Sequence, residues 1–313
     1  MAPCSGKTVS GACQATASGM HHDAVRASPP FSRMIPVPNA PSAAPRSSPT
    51  RRLLTAVGLL ALLAGCAWIY PMKTAALLLA SVFMFLLCFW AARRLFGRRA
   101  AGVFAALAVS MGWFAEQMGS SRGWFFGRYD YTDVLGPQLG NVPMVIPLMW
   151  FALCVMGYSL ACLLLWREPV LARPGWIRGG LTAWLAAMII TAFDLGADPY
   201  FVFVLKAWIM AKTDGGWFGE TLQGFVGWMV VAFAIVAAFQ RWGAPERPAQ
   251  IDAHTRRAAL VPLALYAAAL IFQMVFGHPV EIRAIAFFAM GIPLMVAAVA
   301  WWQWQAGHTG AAL

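Results

Sequence analysis

Apolar residues in this chain do not alternate with polar ones; they run. From residue 53 onward, uncharged apolar stretches of 17 to 25 residues recur, and short segments between them hold nearly all the charge. An α-helix needs roughly 20 such residues to cross about 30 Å of hydrocarbon. Eight spans are predicted, at 53–70, 74–92, 100–118, 142–166, 179–195, 221–240, 258–277 and 284–307. The expected fold class is all-α, a polytopic integral membrane helical bundle of about eight transmembrane helices.

Charge changes the picture by giving it a direction. Lys and Arg number 6, 1, 4, 2, 3, 2, 4, 1 and 0 in the successive connections, counted from the N-terminal tail. Cytoplasmic loops are the ones enriched in basic residues. The alternation therefore places the N-terminus and the even-numbered connections inside, with 17 of the 23 basic residues, in the cell inner (cytoplasmic) membrane. The net charge of +11 is thereby assigned to topology and not to nucleic acid. Residues 1–52 form an expected disordered Pro/Ser/Ala-rich tail, because they lack apolar periodicity and are dense in proline. The transmembrane helical domain is expected over 53–307 and a short C-terminal tail over 308–313. Six cysteines contain no Cys-x-x-Cys pair, and the five histidines (His21, His22, His254, His278, His308) are scattered, so no metal site is expected.

Two spans are interrupted by carboxylates, Glu116 and Asp194. Ionisable residues within spans are expensive and generally face the bundle interior, where they serve function. The stripe Ala105, Val109, Gly112, Glu116 is small apart from the acid, which suits close helix packing around an inward Glu. After Glu116 comes an outer connection with glycine punctuation and interleaved aromatics, from Gly119 through Trp124, Phe126, Tyr129, Asp130, Tyr131 and Asp133 to Pro137. That pattern reads as an ordered loop. Pro143 and Pro147 open the next helix, where a bent or broken turn would line a cavity. In the second rich outer connection, Asp194 and Asp198 precede Pro199, where the helix is expected to end. The apolar piece 199–211 is too short to span and is read as a re-entrant or interfacial helix. Trp217, Phe225 and Trp228 follow. Asp214 and Glu220 lie on the same outer face, and their replacement is expected to matter little.

Glu116, the Gly-x-x-Phe-Gly-x-Tyr-x-Tyr element from Gly123 to Tyr131, Leu135-Gly136-Pro137, Val142-Pro143, Ile146-Pro147-Leu148 with Trp150, Asp194/Asp198-Pro199, and Phe218-Gly219 with Phe225-x-Gly227-Trp228 resemble the carotenoid biosynthesis membrane-protein family. That family includes carotenoid 1,2-hydratases of the bisanhydrobacterioruberin hydratase type, and the resemblance covers approximately 55–305. It implies a carotenoid substrate in the membrane, other carotenoid-pathway enzymes as partners, and hydration of a terminal carbon–carbon double bond of a linear carotenoid.

That chemistry needs a proton for one carbon, a tertiary cation on the other, and water to trap it. No redox cofactor enters. A desolvated carboxylic acid can supply the proton and a second carboxylate can hold the water, while aromatic faces stabilise the cation. The catalytic pair read from the sequence is Glu116 and Asp194, with Asp198, Asp130 and Asp133 as alternates, and either member of the pair can be the acid. Trp124, Phe126, Tyr129, Tyr131, Trp150, Trp217, Phe225 and Trp228 are the candidate substrate-binding aromatics. Pro- and Gly-broken helices with intramembrane acids also describe a membrane transporter, and a noncatalytic lipid- or carotenoid-binding protein is the third reading.

Overall fold

The computed structural model describes residues 71–246 and 251–307. The expected tail (1–52), first span (53–70) and C-terminal tail (308–313) lie outside the described residues. Within them, seven helices follow in order: α1 (Met72–Leu95), α2 (Arg98–Arg122), α3 (Val145–Trp166), α4 (Trp176–Pro199), α5 (Leu222–Ala238), α6 (Ala253–Phe276) and α7 (Glu281–Gly307). These are the second to eighth expected spans, with ends shifted by a few residues. Six of them, α4 and α5 with their short continuations included, are long and apolar enough to cross a membrane. The exception, α2, has the length, but Arg98, Arg99, Glu116 and Gln117 reduce its apolar character.

The apolar faces explain the arrangement. α3 is apolar on every side and buried along almost its whole length, the signature of a helix enclosed by others. It packs against α1, α2, α4, α6 and α7. α7 instead leaves Phe287, Phe288, Ile292, Met295 and Val299 exposed, as suits a helix whose outer face meets lipid. Close approach between helices is set by small residues. A Cβ on Gly157 of α3 would lie 2.6 Å from Ile190 Cγ1 and 3.0 Å from the Ala186 carbonyl of α4. α6 opens on Asp252, whose carboxylate accepts from the Thr255 N–H at 2.6 Å, and that bond holds its carboxyl below the usual range.

Two connections carry the remaining structure. Strand β1 (Tyr129–Tyr131) is followed by a single 3₁₀ turn (Asp133–Leu135), then the short strands β2 (Gln138–Leu139) and β3 (Val142–Pro143), which pair with each other. Pro147 falls in the first turn of α3, where a helical N–H has no intrahelical partner anyway. The helix is continuous from Val145, with Pro143 in β3 before it, so no turn is broken at Pro147, and the opening residues Val145 and Ile146 line a cavity. The segment 199–211 is not one separate helix: its first part is helical but continues α4, and its second part is a strand. α4 continues through Pro199 into one wide π-type turn (Tyr200–Leu205), Lys206 takes a left-handed conformation at φ 55°, and the chain leaves as strand β4 (Trp208–Met210). β4 pairs antiparallel with β1, Tyr129 opposite Met210 and Tyr131 opposite Trp208. The two aromatic-rich connections are thus sewn together over one end of the bundle.

Candidate active site

Glu116 lies in the last two turns of α2 and is buried. Its Oε2 accepts from the hydroxyls of Tyr129 and of Tyr131, the latter at 2.8 Å, and its Oε1 accepts from Trp150 Nε1 at 2.8 Å. Both tyrosines reach it because side chains on a strand alternate faces. In β1 this sends Tyr129 and Tyr131 to the acid and leaves Asp130, between them, exposed. Burial, reinforced by the facing Glu116, raises both phenols well above their ordinary range. They therefore remain O–H donors throughout the physiological pH range.

Gly112 makes room for the third donor. One turn before Glu116 on the same face, it meets Trp150: a Cβ there would sit 2.7 Å from Trp150 Cγ. This is the role of the small stripe read in the sequence. Gly112→Ala should cost about 1–3 kcal/mol of stability by overpacking. It should also push the indole off Glu116, so a melting curve in detergent and the turnover rate should fall together.

α4 brings two further acids to the same place. Asp194 and Asp198, four residues apart and therefore on one helix face, are 3% and 7% exposed. Asp194 Oδ2 is buried with no hydrogen-bond partner among the described residues, and the Trp208 indole stands beside Asp198. Glu116, Asp194 and Asp198 line one cavity of about 110 Å³, several times what one water requires on the same measure, about 10–15 Å³. Its walls are aromatic. Trp150 stacks on Trp228 with centroids 4.4 Å apart and planes at 24°, Phe126 packs against both, and Tyr131 meets Trp208 edge-on at 5.8 Å. Apolar Leu77, Ile146 and Met149 also line the cavity.

The sequence-derived candidates divide accordingly. Glu116, Asp194, Asp198, Phe126, Tyr129, Tyr131, Trp150 and Trp228 line the cavity. Asp130 and Asp133 are exposed and Trp124 is 51% exposed, so the structure does not bring them there. Trp217 donates from Nε1 to the Leu195 carbonyl at 3.0 Å and packs against Phe225, bracing the end of α4 outside the cavity. One further acid lies at the cavity. Glu220, grouped in the sequence with solvated Asp214, is 4% exposed and lines the cavity, while Asp214 is exposed. Phe201 and Trp208 were also missed, because they fall in the segment read as helix.

The described residues thus define a helical membrane protein with a buried cavity of carboxylates and aromatics. The chain belongs to the carotenoid biosynthesis protein family, whose profile matches residues 72–298. It is also similar to a bisanhydrobacterioruberin hydratase from Haloarcula japonica, 30% identical over 142 residues. That stretch is 45% of this chain and 45% of the relative, so less than half of the relative's length is matched. No solved structure matches the chain.

Proposed function

We propose that this protein is a carotenoid 1,2-hydratase, a hydro-lyase adding water to a terminal double bond of a linear carotenoid. The observation that carries the reading is the single cavity in which buried carboxylates, one with an unpartnered oxygen, face an aromatic wall. Glu116 already accepts from three donors, and hydrogen bonds of this kind favour the charged form of a carboxylate. It serves best as the fixed anion and orienting group, in a site where the aromatic faces of Trp150, Trp228 and Tyr131 stabilise a cation. Asp194 and Asp198, one helical turn apart on α4, supply it to the alkene as a pair. The C–H bond forms at the terminal double bond, water adds to the tertiary cation, and the proton of that water restores the acid. The balance needs no redox cofactor. The apolar part of the cavity receives the end of the chain-like substrate, and the rest of the polyene lies toward lipid.

The test is expression in a host that makes lycopene, with the pigments separated and weighed. Product heavier by one water supports the reading. A changed pigment distribution without new product favours a transporter, and binding without change favours a carotenoid-binding protein.

Eight spans, cytoplasmic termini and the inner membrane belong to the same proposal, as does the division into tail (1–52), membrane domain (53–307) and C-terminal tail (308–313). The alternating basic residues support it. Reporter fusions after residues 97, 170 and 247 should read inside and those after 130 and 213 outside. An outside reading after 247 would contradict the topology.

A further inference from the structure

Glu220 is the one cavity acid to which the mechanism above gives no task. Its backbone N–H is fixed by the Trp217 carbonyl at 2.8 Å, and the segment before it is folded tightly, Gly215 bridging Gly219. Among the described residues no donor bonds its carboxylate. The carboxylate instead faces bare backbone. A Cβ built on Gly224, in the first turn of α5, would lie 3.8 Å from Glu220 Oε2 and 3.9 Å from the Phe126 carbonyl oxygen, with nothing nearer. Two acceptors thus flank a space about the size of one methyl group on the cavity wall. A water needs two or more polar partners to be held in such a place; seated beyond the Cβ position, between Glu220 Oε2 and the Phe126 carbonyl and nearer to each, it would spend both O–H bonds on acceptors. Its lone pairs are then left for the cavity, where Trp228, one turn along α5 from Gly224, presents its ring beside Trp150.

Resting on the hydratase reading, we infer that this space over Gly224 is the site of the attacking water, and that Glu220 is the catalytic base acting on it. The C–O bond forms at the tertiary cation as an O–H bond of the water breaks. Its proton passes first to the Glu220 carboxylate and from there, through cavity water, back to the acid on α4 that gave up its own, so that both carboxyl groups are restored. The protonating acid stands across the cavity on α4, so protonation and trapping are separate steps carried by separate residues.

The test uses membranes containing the full chain, given lycopene in deuterated water, with hydrated product and deuterium in recovered lycopene measured together. The Gly224→Ala methyl fits at ordinary van der Waals distance, and alanine is the better helix former, so the variant folds. It should lower hydration about tenfold or more by displacing the water, while deuterium still enters recovered lycopene, because the cation forms and loses a proton without being trapped. Glu220→Gln should lower hydration about a hundredfold with the same retained exchange. Exposed Asp214→Asn should leave both readouts unchanged. Normal hydration in Gly224→Ala or Glu220→Gln would overturn the inference, as would loss of exchange in step with hydration. If the unaltered protein neither hydrates nor exchanges, the hydratase reading itself fails and the inference with it.

Discussion

Glu116→Gln should reduce hydration by about a hundredfold or more while the protein still inserts into the membrane. The glutamine side chain keeps the shape and one carbonyl oxygen. It places an NH₂ group, a donor, where Glu116 now accepts from Tyr129, Tyr131 and Trp150. If the NH₂ faces Trp150, two donors meet; if it faces the tyrosines, their hydroxyls must turn to accept and lose Glu116 as the acceptor of their own protons, and either arrangement costs about 1–3 kcal/mol in a buried site. The fixed negative charge opposite the aromatic wall is lost as well. Two readouts therefore move together, turnover and the detergent melting temperature, and turnover falls further than stability alone explains. Tyr131→Phe removes one donor but keeps the anion and should cost much less activity, about tenfold. Equal losses in the two variants would mean that the tyrosine, not the charge, is what matters.

Asp194→Asn and Asp198→Asn should each abolish most turnover, again by roughly a hundredfold or more, with the larger loss at Asp194. The reason is geometric. Asp194 Oδ2 is buried and unpartnered, free to give a proton to substrate, whereas Asp198 has the Trp208 indole beside it. Asp198 thus acts more as the partner that shares the proton. Under the proposed roles, both variants should lose deuterium exchange into recovered substrate along with hydration, in contrast to the behaviour expected when trapping alone is blocked. The exposed acids Asp130 and Asp133 provide the comparison: their amides should retain activity. A fully active Asp194→Asn protein would remove Asp194 from the mechanism.

Much of the scaffold was legible in the sequence, because in hydrocarbon every backbone polar group must be satisfied within the segment. Long uncharged runs then have essentially one solution, and the helices from Met72 to Gly307 appear where hydropathy put them. Glu116 and Asp194 were legible for the complementary reason, that a charge in such a run has to face inward. Pairing between distant segments was not legible. Residues 199–211 are apolar and short; the first half continues α4 as helix, and the second half becomes strand because Tyr129–Tyr131, some eighty residues earlier, offer an edge to Trp208–Met210. The same pairing separates the two tyrosines from Asp130, although a loop reading kept all three as candidates. Glu220 was hidden differently. It and Asp214 sit six residues apart in one glycine-rich stretch, and only the tight fold around Gly215 and Gly219 buries one while leaving the other in the open.

The oxygen added to the substrate should come from water, through acid–base chemistry in this cavity. Membranes containing the protein can be given a linear carotene in ¹⁸O-labelled water without molecular oxygen, and the product weighed. The product should form under these conditions and carry the label in its new hydroxyl group. A product that forms only when oxygen is admitted, and that takes its hydroxyl oxygen from that gas, would contradict the hydratase reading.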